Sequence, residues 1–223
     1  IQISTTTAEE KSVTVKLGEA TLNPVGVSFV AGPPDPDLST VQATKNAIVA
    51  DGKDRAEISA RLIDFYNNPV VGKKIGILIN ESISMNENID QLVVSAPSDT
   101  EGRLTAFLSS KKAEIKTLTI VEPNSNVELK SRPVLTFVHG PAHQTRSSLA
   151  AETPILADGE SKSSVAITVL DQYGNPVQGA TVTVTASGSE NQIEQSLTST
   201  DVKGKAIAFV SSTKAERKIL TAK

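Results

Sequence analysis

The chain repeats itself, and the spacing of that repeat limits what it can fold into more than any other feature. Val49-Ala50-Asp51-Gly52 returns as Leu156-Ala157-Asp158-Gly159, displaced by 107 residues. Asp64-Phe65-Tyr66-Asn67-Asn68-Pro69-Val70 returns as Asp171-Gln172-Tyr173-Gly174-Asn175-Pro176-Val177 with the same displacement of 107. Ser98-Asp99-Thr100-Glu101-Gly102 returns as Thr200-Asp201-Val202-Lys203-Gly204, displaced by 102. A further copy is cut by the N-terminus: Ser4 to Lys11 aligns with Ser109 to Lys116 and with Ser211 to Lys218, and Val27 to Pro33 aligns with Leu135 to Pro141. The 223 residues therefore divide into 1–33, the C-terminal strands of one repeat; 34–141, a whole repeat; and 142–223, a repeat without its last strand.

Within each repeat the apolar residues alternate with period two. Val165 to Val169, Thr181 to Thr185, Lys116 to Glu122, Gln91 to Ala96 and Val134 to Val138 place every second side chain on one face, as half-buried strands require. Gly, Pro, Asn and Asp punctuate these runs every 8–12 residues or so, the rhythm of an all-β sandwich. Asp51-Gly52 and Asp158-Gly159 are predicted turns with glycine at positive φ. Pro69 and Pro176 are suited to a strand's first residue, where no ladder donor is needed. Gly102 and Gly204 close turns ahead of strands, with Asp99 and Asp201 placed to cap them.

Composition removes most chemistries. There are 46 Ser and Thr residues, no Cys, no Trp and a net charge of −3, and segments 1–33, 34–141 and 142–223 carry −1, −2 and 0. That leaves no basic footprint for nucleic acid, no zinc–thiolate site and no cysteine nucleophile. His139 and His143 are four apart, a metal spacing only on a helix, and Gly140-Pro141 between them excludes one; they read as a polar hinge. The repeated aspartates could be read as calcium ligands, but one per loop falls short of the six to eight oxygens or so that calcium takes. Asn86 to Asp90, the densest oxygen cluster, reads as a solvated loop, and Asn80-Glu81-Ser82 is a formal glycosylation acceptor. Phe29 pairs with Phe137, Tyr66 with Tyr173 and Phe107 with Phe209, a once-per-repeat placement that serves packing or a turn and points first to core anchors. No nucleophile is paired with a base, so no catalytic residue, cofactor site or metal site is assigned and the chain is not read as an enzyme.

The blocks Ala157-Asp158-Gly159, Asp171 to Val182 and Thr200 to Ala206, with the Ser-Ser-x-x-Ala signature, resemble the bacterial immunoglobulin-like (group 1) repeats of the intimin and invasin adhesins. The middle repeat departs at Asn67 and Lys73, where the pattern has Gly and Ala. The resemblance implies tandem immunoglobulin-like β-sandwich domains of seven or so strands. It also implies a bacterial cell-surface location, with an outer-membrane anchor outside this stretch, and a stalk that projects a distal binding region in adhesion to host cells and virulence. The cysteine-free composition fits passage through an oxidising periplasm in an unfolded state. The alternative is that one repeat itself binds a host protein or glycan through variable loops, Ser82–Gln91 or Ser187–Gln195; no receptor-binding residue is singled out. The implied partners are that host molecule and neighbouring repeats. A monomer is expected, with head-to-tail strand complementation through Val25–Val30 left open. The segment Ala31–Asp37, with three prolines, is expected to be a stiffer joint than His139–His143, with one.

Overall fold

The computed structural model describes residues 2–45, 47–81 and 88–223, and among them there is no helix. Its contacts divide into two compact units. Unit 1 comprises residues 1–48, 54–110 and 114–137; unit 2 comprises 49–53, 111–113 and 138–223. The short loops 49–53 and 111–113 thus belong to the unit that follows them in sequence.

In chain order the first strands are β1 (Glu10–Val13), β2 (Lys16–Leu17), β3 (Ala20–Thr21), β4 (Val25–Ser28), β5 (Thr40–Ala43), β6 (Ala47–Val49) and β7 (Ala56–Arg61). Then come β8 (Gly76–Ile79), β9 (Asp90–Val94), β10 (Arg103–Ser110), β11 (Ile115–Glu122), β12 (Val127–Glu128) and β13 (Val134–Val138). One sheet has the order β5-β7-β10-β9, and the facing one runs β12-β11-β13-β6 with β8 also paired to β11. The described pairings are all antiparallel. Period-two alternation sends Ala56, Ile58 and Ala60 of β7 and Leu104, Ala106 and Leu108 of β10 inward. Ile77, Ile79, Leu118, Ile120 and Leu135 of the second sheet are buried as well. Each large aliphatic buried this way contributes roughly 1.5–3 kcal/mol.

The N-terminal strands copy part of this arrangement. β1 pairs with β4 so that Lys11 faces Val27, as Lys116 of β11 faces Leu135 of β13. The Phe29 amide donates to Glu9 O as the Phe137 amide donates to Glu114 O, both at 2.9 Å. The strand named for complementation, β4, is therefore already paired along one edge.

Unit 2 adds β14 (Ser148–Ala151), β15 (Ser163–Thr168), β16 (Val184–Ala186), β17 (Asn191–Glu194), β18 (Lys205–Ser212) and β19 (Leu220–Ala222). The order β14-β15-β18-β17 reproduces that of β5-β7-β10-β9, and β16-β19 reproduces β8-β11. The core is built on Val165, Ile167, Val169, Val177, Val184, Ala206, Ala208 and Val210. The strand expected over Thr181–Thr185 is shorter than its alternation suggests: the ladder covers only Val184–Ala186. Pro69 and Pro176 each form a single bridge, to Ile63 and Leu170, at the start of their runs.

Candidate functional site

The most elaborate polar structure in each unit is the turn written Asp-x-Tyr-x-Asn-Pro. An aspartate at the head of such a turn folds the chain back on itself, because its carboxylate can accept from amides two and four residues on. Asp64 Oδ1 accepts from the amides of Tyr66 (2.9 Å) and Asn68 (2.8 Å), and Asp171 Oδ1 accepts from those of Tyr173 and Asn175 (both 2.9 Å). Oδ2 of each takes the amide of the glycine in its joint, Gly32 at 3.0 Å and Gly140 at 2.9 Å. The same Oδ2 accepts from the Asn68 or Asn175 side-chain amide, at 2.9 and 2.8 Å. The fourth residue of the turn has positive φ, 68° at Asn67 and 87° at Gly174. Asn tolerates that region better than other side chains. The departure at Asn67 therefore leaves the turn's hydrogen bonds in place, and at Lys73 the amide bonds Ser98 Oγ as that of Ala180 bonds Thr200 Oγ1.

With Asp fixing one side of the Asn amide, the other side is aimed at a loop about 60 residues earlier. In unit 1, Asn68 Nδ2 donates to Thr6 O (2.8 Å) and Asn68 Oδ1 accepts from the Ala8 amide (2.9 Å). In unit 2, Asn175 Nδ2 donates to Lys111 O and Asn175 Oδ1 accepts from the Ala113 amide, both at 2.9 Å. Thr6–Ala8 and Lys111–Ala113 are equivalent stretches of the Ser-Ser-x-x-Ala signature. Tyr173 adds a hydroxyl bond to Asp51 O at 3.0 Å, and the Lys111 ammonium lies 5.8 Å from its ring centre.

Asp64 and Asp171 are 4% and 1% exposed. Burial pushes both carboxyls up, but the Asn side chain, the glycine amide and the turn amides together outweigh it, so both lie below the usual aspartate range. Asp99 and Asp201 cap their turns as expected, each accepting from the amides two and four residues on, and Asp158 accepts from Glu160 and Ser161. Gly52, Gly102, Gly159 and Gly204 have the positive φ their turns were predicted to need.

A second polar site was not legible in the sequence. Lys116, with its side chain 1% exposed, places Nζ 2.6 Å from Glu114 Oε1 and 3.1 Å from Asp90 Oδ1. Only the recurrence of Glu-x-Lys at 9–11, 114–116 and 216–218 hinted at it. The counterparts are ion-paired as well, Lys11 with Glu9 at 2.6 Å and Lys218 with Glu216 at 2.8 Å. The hydrogen bond from Lys218, then those from the Ser189 amide and Lys214, draw the Glu216 carboxyl down to about 2.

One expectation is corrected. Of the paired aromatics only Phe137 is a buried anchor; Tyr66 is 60% and Tyr173 38% exposed, and Phe209 is also exposed. The tyrosines recur because they belong to the Asp–Asn turns, not to the core. His139 Nδ1 contacts Gly140 O and His143 Nδ1 contacts Thr145 Oγ1, so the two rings serve their own loops. No group of three potential metal ligands occurs among the described residues. Of the oxygen-rich stretch, Asn86 and Glu87 lie outside the described residues, as does Ser82 of the glycosylation pattern and most of the loop Ser82–Gln91.

The fold has counterparts in known proteins. The structure of invasin, a bacterial integrin-binding protein, matches with a TM-score of 0.68 and 22% identity over 97% of this chain and 42% of that one. FdeC, an Escherichia coli adhesin, matches with a TM-score of 0.57 and 18% identity over 97% of this chain and 69% of that one. In sequence, the inverse autotransporter adhesin YeeJ of Escherichia coli K12 is 27% identical over 198 residues, 88% of this chain but 8% of that protein. The all-β, immunoglobulin-like architecture is thus the one the resemblance implied. Residues 38–138 and 146–223 match the bacterial Ig-like domain (group 1), and the chain belongs to that family.

Proposed function

We propose that the chain is a stalk segment of a bacterial surface adhesin, built of repeats 1–33, 34–141 and 142–223. It would stand outside the outer membrane and carry a distal binding region toward host cells. The observation that carries this reading is the reuse of one coupling. Asn68 and Asn175 make the same two hydrogen bonds to equivalent loops of the preceding repeat, and Asp64 and Asp171 make the same bond to the joint glycine. A module that repeats the same polar contact to the repeat before it is suited to transmitting position and force. Relatives that are adhesins support the same reading.

The test is host-cell binding by the surface-displayed protein after replacing residues 82–89 and 188–190, the parts of Ser82–Gln91 and Ser187–Gln195 that precede β9 and β17, with short Gly/Ser turns. Retained binding supports a stalk. Loss of binding with the fold intact overturns it and assigns recognition of a host protein or glycan to these loops.

A further inference from the structure

Among the described residues, two buried side-chain oxygens have no hydrogen-bond partner, Asp90 Oδ1 and Asn191 Oδ1. They occupy one position of the repeat. Asp90 pairs with Ser110 at the start of β9 and Asn191 with Ser212 at the start of β17, and Ser110 and Ser212 are related by the offset of 102. Each of the two repeats also carries the Glu-x-Lys ion pair, Glu114 with Lys116 and Glu216 with Lys218. A buried polar oxygen left without a hydrogen bond is costly, so its recurrence asks for a chemical reason. The two lysines are placed differently. Lys218 Nζ donates to Ser189 O and to Glu216 Oε1, both at 2.8 Å, and makes no hydrogen bond to Asn191 among the described residues. Lys116 Nζ is turned onto the carboxyl itself, 3.1 Å from Asp90 Oδ1 and 3.3 Å from Oδ2, with Glu114 Oε1 at 2.6 Å.

We infer that Lys116 and Asp90 are the site of an internal isopeptide bond, with Glu114 as the proton carrier, and that the buried ion group is its reactant state. Nζ stands at nearly equal range from the two Asp90 oxygens, so it faces the carboxyl carbon between them. Groups held about 3–3.5 Å apart in this way react as though at very high concentration. Glu114 Oε1 takes a proton from the ammonium and passes it to Asp90 Oδ1. The freed lone pair on Nζ attacks Cγ and forms the C–N bond. The Cγ–Oδ1 bond then breaks, and a second Nζ proton, again carried by Glu114, leaves with Oδ1 as water. An ammonium and a carboxylate become one amide and one water, and Glu114 ends as the carboxylate it began as. Oδ1 gives up no hydrogen bond in leaving. Burial favours the product, because a neutral amide replaces two desolvated charges. The bond would join β9 of one sheet to β11 of the other covalently.

Substituting Lys116 removes the bond and the ion group together, so mass decides here and stability does not. The folded chain is purified, aged, denatured and weighed intact. Its mass should fall short of the sequence mass by one water. Trypsin should then leave residues 75–103 joined to 113–130, uncut after Lys116, and fragmentation should place the link on Asp90 and Lys116. Lys116→Met and Asp90→Ala should each restore the full mass. Glu114→Gln keeps both reacting groups, and in a chain shown to be folded by its amide spectrum it should convert about a hundredfold more slowly. Conversion as fast as the parent's overturns the role of Glu114. A folded parent at its full sequence mass overturns the bond. So does a missing water that persists in Lys116→Met, which would place the loss elsewhere, as in cyclisation at Asp51-Gly52 or Asp158-Gly159. Loss of one ammonia in place of water would move the bond to Asn191 and Lys218 and overturn the choice of Asp90. None of these outcomes depends on what the chain binds, so the stalk reading and this one stand or fall separately.

Discussion

Lys116 carries its ammonium to 5.8 Å from the centre of the Phe137 ring, with its side chain almost wholly buried. A lone buried ammonium would be costly to desolvate, and this one is offset by two carboxylates, Glu114 at 2.6 Å and Asp90 at 3.1 Å. β11 supplies Lys116, β13 supplies Phe137 and β9 supplies Asp90, so the group ties the two facing sheets of unit 1 together at one end.

Removing the cation strands the anions. Lys116→Ala is expected to destabilise unit 1 by about 3–5 kcal/mol, as breaking a buried pair does. Lys116→Met combined with Asp90→Leu should recover much of that loss, because a packed apolar pair carries no desolvation penalty. Denaturant midpoints of the three proteins decide it: a Lys116→Ala loss under about 1 kcal/mol would mean the ion group is incidental.

Gly204 and Gly179 share a positive φ but differ in surroundings, at 70° and 80°. A β-carbon at Gly204 would run into the Val169 carbonyl oxygen and crowd the Val177 amide, whereas nothing lies within 4 Å of one at Gly179. Gly179→Ala should cost about 1 kcal/mol, the strain of a left-handed alanine. Gly204→Ala should cost roughly 1–3 kcal/mol beyond that, because the backbone must yield. Gly102, facing the Leu62 carbonyl in the same way, should behave like Gly204. Equal thermal shifts for Gly204→Ala and Gly179→Ala would contradict the close approach.

Acid should loosen the Asp–Asn turns. The carboxyls of Asp64 and Asp171 sit below their unfolded value near 3.8 in the folded protein. Their contribution is therefore complete above that value and is lost as pH falls through the folded values. Asp99, Asp158, Asp201 and Glu216 are shifted the same way, so the whole chain should lose stability on descending below about pH 4. Asp171→Asn should be less stable at pH 7 and show a shallower acid slope than the parent in urea titrations from pH 2 to 7. A parallel slope would show that Asp171 is not among the linked groups.

The alternating runs and the Gly and Asp positions of the turns were legible because each reflects a local rule: period two for a half-buried strand, positive φ for glycine, an Asp oxygen reaching amides nearby. The Asn68 and Asn175 contacts were not, since their partners lie 60 or more residues away and a repeated Asn-Pro reads equally well as a simple turn. Tyr66 and Tyr173 were mistaken for core anchors for the same reason: recurrence signals a shared role without saying whether that role faces inward. Lys116 was hidden because an ionic side chain at an inward strand position violates the alternation that identified the strand.

The joints give the last test. Proline content alone would make Ala31–Asp37 the stiffer and His139–His143 the more pliable. Yet the two are fastened alike, by a backbone glycine amide held on a buried carboxylate: Gly32 on Asp64 and Gly140 on Asp171. The second also has the His143 amide on Leu170 O at 2.8 Å, where the first has the Asp35 amide on Ile63 O at 2.7 Å. If the carboxylates govern, the Gly32 and Gly140 amides exchange at rates within a few-fold of one another. Replacing Pro33 and Pro36 by Ser then changes the Gly32 rate little, while Asp64→Ala raises it by about tenfold. A Gly140 amide that exchanges freely while Gly32 is protected would return control of the joint to its prolines.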